Sequence, residues 1–180
     1  MLHKLSTPLL GVLLTALAST ASMAPVAVDI DDWKPRVGDR LLINTEVNEG
    51  FLVHSNGQYA RFPLATGQRR WVSYIGRYYN AATPTWDWEI QSSHIKGDRV
   101  TYGETGRFLR MYKDGEYRTA YGIHSHRDAK EVLASDDRFY SMGCVIVNES
   151  VLNIIEDTYQ LNEGKLKVRS RYGDPFTDIT

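Results

Sequence analysis

The sequence predicts a mainly β fold in a single domain, and three observations lead to that prediction. The 180 residues are enough for one domain with a sizeable core and too few for two ordinary ones. Short apolar runs recur between turn signals, of which Asn56-Gly57 and Asp114-Gly115 are typical of tight β-hairpins. One segment, between residues 148 and 164, has the apolar spacing of a helix.

The predicted strands follow one another from residue 40 onward. Asn56-Gly57 joins the second strand to the third, and Asp114-Gly115 joins the fifth to the sixth, because these residues accept positive φ in tight turns. No internal repeat interrupts this pattern. The predicted strands cover residues 40–47, 50–55, 58–65, 86–92, 107–112, 116–123 and 165–170.

The predicted helix has recognisable ends. Asn148 is suited to cap its start, and Asn162-Glu163-Gly164 is suited to end it. Its apolar residues fall near one face, at Val151, Leu152, Ile155 and Tyr159. The sequence therefore predicts one amphipathic helix that packs on the strands.

The N-terminus has the layout of a secretory signal peptide, predicted to cover residues 1–24. Lys4 precedes an uncharged apolar run at 8–18, which is followed by small residues. The run is shorter than the roughly 20 residues of a spanning helix. Cleavage after Ala21 or Ala24 is expected, with an uncleaved anchor as the alternative. The protein is thus expected to be exported to the periplasm or beyond, without a transmembrane span after cleavage.

The rest of the chain divides into three predicted parts. Residues 25–38 are expected to be a linker or a poorly ordered tether, residues 39–170 a catalytic domain, and residues 171–180 a tail. Hydrophobic and charged residues make up 42% and 24% of the chain, and the net charge is −1. That balance argues against a nucleic-acid partner, whose phosphates favour a strongly basic face.

Cys144 is the single cysteine of the chain. A lone thiol in an exported protein has no disulfide partner and is a candidate reactive group. The alternative is a small buried core residue. With one cysteine and no H-E-x-x-H pattern, the sequence offers no plausible zinc ligand set, so neither a metal nor another cofactor is expected.

The residues around Cys144 favour the reactive interpretation. His124 ends a predicted strand, and Cys144 stands just before the predicted helix. A histidine within reach of a thiol can generate the nucleophilic thiolate. His126 is the second candidate base, because it falls on the same face of an extended strand.

The turn before the cysteine offers a second element of catalysis. Gly143 allows a tight turn, in which consecutive backbone N–H groups can stabilise an oxyanion. The following helix would bring a partly positive N-terminus near the sulfur. In the alternative interpretation, Ser141 only satisfies a backbone group and Met142 only fills space.

These motifs resemble the L,D-transpeptidase (YkuD-like) catalytic domain. That family has a histidine followed, after a gap, by Ser/Thr-x-Gly-Cys, and here 16 residues separate His124 from Ser141-Met-Gly-Cys. Three weaker elements, LATGQ at 64–68, TPTWDWEI at 83–90 and GKLKVRS at 164–170, follow the family's order. The resemblance implies a β-sandwich with one or two short helices.

The resemblance also implies an activity on peptidoglycan peptide stems. Cys144 would attack the bond between a diamino acid and terminal D-alanine, and an amine or water would then take the acyl group from the thioester. His124 would move the proton, oriented by the carbonyl of Ser125. The oxyanion would be held by the amides of Met142, Gly143 and Cys144, and substrate would be contacted by Tyr121, His126, Arg127 and Trp86.

This chain departs from the family pattern at several positions. Ile146 stands where an arginine or asparagine is common, Trp86 replaces a glycine, and Ser125 replaces a common glycine. The alternatives are therefore an L,D-carboxypeptidase, an amidase using the same residues, or a non-catalytic wall-binding module. Cations and aromatics interleaved between residues 69 and 96 are either a surface that receives the carboxylates and sugars of peptidoglycan, or a solvated hairpin with aromatic packing.

Overall fold

The computed structural model describes residues 26–177, and the predicted signal peptide lies outside them. Thirteen strands and two helices are found in this range. The strands are β1 (Val26–Val28), β2 (Arg40–Asn44), β3 (Glu49–Val53), β4 (Gln58–Pro63), β5 (Thr66–Gly67), β6 (Trp71–Tyr74), β7 (Arg77–Asn80), β8 (Asp87–Ile95), β9 (Arg107–Lys113), β10 (Tyr117–His124), β11 (Phe139–Ser141), β12 (Val145–Ile146) and β13 (Leu166–Arg171). The helices are α1 (Ala129–Ala134) and α2 (Glu149–Leu161).

Nine strands form one mixed sheet in the order β1-β4-β3-β2-β13-β8-β9-β10-β12. The β1–β4, β2–β13 and β10–β12 pairs are parallel, and the others are antiparallel. Ala65, which follows β4, forms a bridge with Ile146 in β12 at the opposite end of the sheet. The sheet therefore curls until its two ends meet. The prediction of a mainly β single domain is confirmed.

Helix α2 closes one side of the core, as its apolar spacing predicted. The side chain of Asn148 accepts a hydrogen bond from the Val151 amide at 2.8 Å, which caps the helix. The buried face of α2 packs in one cluster with Leu109 of β9 and Ile123 of β10. The helix thus lies against the same strands that lead to His124.

The segment at 26–38, predicted as a linker, is packed against the domain. Val26–Val28 pairs with β4, and Trp33 is only 3% exposed. The indole of Trp33 stacks on His54 at 3.8 Å, and His54 Nδ1 lies 2.6 Å from Asp39 Oδ1. The expectation of a poorly ordered tether is wrong here, because these side chains find partners far away in the sequence.

Helix α1 is a second difference from the sequence-based expectation. Its residues belong to the charged stretch between His124 and Cys144, which the sequence suggested was a polar loop. Ala129 and Val132 are buried in a small cluster with Ala65 and Ile146. The helix therefore covers the seam where the two ends of the sheet meet.

Candidate active site

His124 and Cys144 are positioned by neighbouring strands. His124 ends β10, and Cys144 immediately precedes β12. The parallel register pairs Ile123 with Val145 and His124 with Ile146. Because Ile123 and Val145 point into the core, the alternation of side chains directs His124 and Cys144 to the other face. The two candidate residues are therefore diagonal neighbours on one face of the sheet.

The imidazole of His124 is buried, with 3% of the residue exposed. Its Nδ1 lies 2.6 Å from the carbonyl oxygen of Ser125. Burial lowers the pKa of His124, and nearby His126 adds to this effect, while the carbonyls of Ser125 and Thr101 favour the protonated ring. With its pKa lowered, the ring is neutral at neutral pH.

The thiol of Cys144 is protonated in the free protein. Burial raises its pKa to about 11, against the opposing effects of the Gly122 amide and Arg110. The sulfur is directed toward the Ala120 carbonyl oxygen at 4.0 Å. Among residues 26–177 we find no hydrogen bond between this thiol and His124. The site at rest is therefore a neutral thiol beside a neutral imidazole.

The turn before Cys144 requires a glycine. Gly143 has φ +115°, and an added Cβ would lie 2.5 Å from Cε1 of Tyr121. Ser141 Oγ accepts the Gly143 amide at 3.0 Å and donates to the Cys144 carbonyl at 2.5 Å. Ser141 therefore shapes the turn, which agrees with the alternative given for it from sequence. The sequence predicted that the amides of Met142, Gly143 and Cys144 hold the oxyanion. Because the Gly143 amide already donates to Ser141, the Met142 and Cys144 amides remain as candidate donors.

Two weaker sequence elements meet behind this turn. Thr83 Oγ1 donates to the Gly143 carbonyl at 2.9 Å and accepts the Gly67 amide at 2.9 Å. A Cβ at Gly67 would come within 2.7 Å of the Gly143 Cα. The LATGQ and TPTW elements thus fix the backbone beside the sulfur.

Solved structures with this architecture include enzymes of one named activity. An L,D-transpeptidase fragment from Xylanimonas cellulosilytica DSM 15894 aligns with a TM-score of 0.53 at 19% identity, over 77% of this chain and 63% of that one. A mutant of Enterococcus faecium L,D-transpeptidase aligns at 0.50 and 13% identity, over 75% of this chain and 50% of that one. The chain has the L,D-transpeptidase fold.

A third solved structure, Bd1075 of Bdellovibrio bacteriovorus, aligns with a TM-score of 0.51 at 15% identity, over 74% of this chain and 47% of that one. This chain spans about half to two-thirds of the length of the three structures. No family model and no curated protein sequence matches it. The likeness is thus one of fold.

The four predicted substrate residues fall into two groups around the L,D-transpeptidase-fold site. The Tyr121 and Trp86 rings are 6.3 Å apart, and Tyr121 packs against the Gly143 turn. His126 and Arg127 lie beyond the end of β10, at the approach to α1. The His126 Nδ1 accepts the Asp128 amide at 3.1 Å, so this nitrogen is occupied. His124 stays the candidate base, because the β10–β12 register places it, and not His126, next to Cys144.

Two tyrosines that the sequence did not single out as site residues, Tyr79 and Tyr102, lie near the sulfur together with the predicted Tyr121. Tyr79 reaches from the β6–β7 hairpin and donates to the Met142 carbonyl at 3.0 Å. Burial raises the pKa of Tyr79, Tyr102 and Tyr121, and negative charge on Cys144 adds to this in each. These rings come from three different segments, so only the fold brings them together.

The interleaved cations and aromatics do not form one surface. Arg69 packs over the Phe139 ring at 3.8 Å, and Lys96 lies 5.4 Å from the Phe108 ring. Trp71 and Tyr78 stack on each other at 5.2 Å, with 60% and 70% of each residue exposed. The set therefore divides between structural contacts and an exposed aromatic pair.

The described part of the chain has neither a cluster of metal ligands nor a membrane-spanning helix. In residues 26–177, no group of three or more His, Cys, Asp or Glu side chains is placed to hold a metal ion. No helix in that range is long and apolar enough to cross a membrane.

Proposed function

We propose that this protein is an exported cysteine acyltransferase that acts on peptidoglycan peptide stems. The observation that carries the proposal is the placement of His124 and Cys144 on one face of neighbouring strands, in the L,D-transpeptidase fold. The substrate class is supported by the sequence motifs that resemble this family. Export is supported by the signal-peptide pattern at residues 1–24.

The first half-reaction begins with a proton transfer. The sulfur swings by a rotamer change from Ala120 toward His124, whose ring takes the thiol proton while the Ser125 carbonyl holds Nδ1–H. The thiolate attacks the carbonyl carbon between the diamino acid and D-alanine. The oxyanion is held by the Met142 and Cys144 amides. D-alanine then leaves as the amine with the proton from His124, and a thioester remains on Cys144.

The second half-reaction depends on the acceptor. An amine from another stem loses its proton to His124, attacks the thioester and forms a crosslink, which restores the thiol. Water in the same position gives the free acid, which makes the protein an L,D-carboxypeptidase or an amidase. These outcomes share one acyl-enzyme and differ only in what reaches it.

A wall-binding module without catalysis is the second candidate function. It is favoured by the resting geometry, in which the thiol is directed at Ala120 and the His124 ring is flanked by the carbonyls of Ser125 and Thr101. In such a module the thiol would stay protonated when a stem peptide binds.

Carbapenem labelling separates an enzyme from a binding module. A carbapenem acylates nucleophilic cysteines of this type, and Cys144 is the only cysteine, so intact-mass spectrometry gives an unambiguous result. We expect one adduct on the wild type and none on Cys144→Ala. A wild type that takes up no adduct, while still binding stem peptides, supports the module.

Product analysis then identifies the acceptor. The protein is incubated with disaccharide tetrapeptides, with and without an excess of stem amine, and the products are weighed. A crosslinked dimer identifies a transpeptidase, and a tripeptide with free D-alanine identifies a carboxypeptidase. Unchanged tetrapeptide under both conditions contradicts the proposed function.

A further inference from the structure

Arg110, in the middle of β9, is a buried cation that has no counter-charge among the described residues. Only 8% of the residue is exposed, and its Nε is buried with no hydrogen-bond partner. Its Nη1 donates to the Thr119 carbonyl at 2.5 Å. Within residues 26–177 the guanidinium forms no ion pair. Because a buried charge is costly unless it is paired, this arrangement calls for a partner that the described part of the chain does not supply.

The strand register aligns Arg110 with the candidate nucleophile. Arg110 lies opposite Gly122 in the antiparallel β9–β10 pair. In the parallel β10–β12 pair, Ile123 is opposite Val145, so Gly122 is level with Cys144. Arg110, Gly122 and Cys144 therefore form one row across three strands, on the face that carries His124. Two strand spacings, about 10 Å, separate the outer members of the row.

The middle of this row is covered by the ring of Phe108, and Gly122 itself adds no side chain there. A Cβ at Gly122 would lie 2.4 Å from Cζ of Phe108 and 2.7 Å from the Leu109 carbonyl oxygen, so no larger residue fits. The guanidinium carbon of Arg110 lies 5.0 Å from the centre of the Phe108 ring. Arg110 therefore packs beside the Phe108 ring, which lies over the middle of the row, and β10 places no side chain between Arg110 and Cys144. The positive charge is near enough to lower the pKa of Cys144.

We propose that Arg110 binds a carboxylate of the stem peptide within one residue of the bond that Cys144 attacks. This inference rests on the proposed function, whose substrate it specifies further. A guanidinium presents parallel N–H donors that match the two oxygens of a carboxylate, and the unpaired Nε is one of these donors. A bound carboxylate would supply the missing counter-charge. Tetrapeptide stems offer two carboxylates at this distance, one on the diamino acid and one on the terminal D-alanine.

Binding to a protein that cannot turn over tests the proposal. Three synthetic tetrapeptides are titrated by calorimetry into full-length Cys144→Ala: the parent, the form amidated on the diamino acid, and the form amidated at D-alanine. We expect one amidation to weaken binding about 10- to 100-fold, as loss of a charged hydrogen-bonded pair does. The position at which amidation weakens binding identifies the carboxylate that the protein binds.

The same titrations with Arg110→Met added show whether Arg110 is the partner. We expect the parent peptide to bind about 10- to 100-fold more weakly, and the discriminating amidation to have no further effect. Arg110→Lys, which keeps the charge but loses the fork, should give an intermediate affinity. Arg118→Met removes an exposed arginine of β10 and is the matched control, with unchanged binding. Thermal melts establish that each variant is folded.

Several results overturn this assignment. If Arg110→Met and Arg110→Lys leave the affinity unchanged, Arg110 does not bind a carboxylate. The same conclusion follows if both variants weaken the binding of all three peptides equally. Failure of all three peptides to bind also contradicts it. Failure of the proposed function is recognised separately. If peptide binding depends on Arg110 but the wild type forms no thioester, the carboxylate site is supported and the proposed enzyme activity is contradicted. If the wild type forms a thioester equally well with the amidated and parent peptides, the proposed enzyme activity is supported and the carboxylate site is contradicted.

Discussion

The ionisation of Cys144 can be measured directly, because it is the only cysteine in the chain. Burial raises its pKa from 9.0 to about 11. At pH 7 about one molecule in 10,000 then carries the thiolate, compared with about one in 100 for an unperturbed thiol. The free protein should therefore react slowly with a small uncharged alkylating agent.

The assay is the rate of iodoacetamide labelling between pH 6 and pH 11, followed by intact-mass spectrometry. Because only the thiolate reacts, the rate should rise about tenfold per pH unit and reach no plateau below about pH 11. His124→Gln should leave this profile unchanged, because the resting thiol and imidazole share no hydrogen bond. A plateau below pH 9, or a pH-independent rate near neutrality, would refute this reasoning and indicate a preformed thiolate–imidazolium pair.

The same pKa predicts how stability depends on pH. The unfolded thiol releases its proton above pH 9.0, and the folded thiol keeps its proton until about pH 11. The folded state binds more protons in this window, so stability should fall as the pH rises through it. The two-unit difference corresponds to roughly 3 kcal/mol. Cys144→Ala should abolish this part of the slope in urea unfolding curves recorded at each pH.

Three substitutions test the packing behind the site. Gly143→Ala should cost about 1–3 kcal/mol and most of the carbapenem labelling, because alanine is strained at φ +115° and meets Tyr121; normal labelling would show that the turn adapts. Thr83→Val should cost about 1–3 kcal/mol in urea unfolding, because it leaves the Gly67 amide and Gly143 carbonyl unpaired; an unchanged midpoint contradicts this bridge. Trp33→Ala should cost about 3–5 kcal/mol, and a smaller loss would mean that the 26–38 segment is weakly attached.

The sequence predicted features whose causes are local. Gly57 and Gly115 have positive φ, as the two hairpin signals require, and Asn148 caps the helix at the expected place. The β6–β7 hairpin lacks such a signal, because its turn places Ile75 at φ +48°, where a β-branched residue is unusual. Turn residues therefore predicted the hairpins at Gly57 and Gly115 but not the β6–β7 hairpin.

Features that depend on long-range pairing could not be predicted from the sequence. Arg110 belongs to a stretch that reads as an ordinary strand, and its burial follows from the order of β8, β9 and β10 in the sheet. Trp33 stacks on His54, which follows β3 and is distant from Trp33 in the sequence. The bond between Ser141 Oγ and the Gly143 amide depends on side-chain geometry, which the motif alone does not specify.

The most direct test of the mechanism is the rate at which a tetrapeptide donor acylates Cys144. Rapid quench and intact-mass spectrometry should detect the wild-type thioester, with a mass gain equal to the donor minus D-alanine. We expect none on Cys144→Ala, a rate at least about 100-fold lower on His124→Gln, and a rate close to wild type on His126→Gln. D-alanine release that persists without the thiol, or acylation indifferent to His124, would contradict the account.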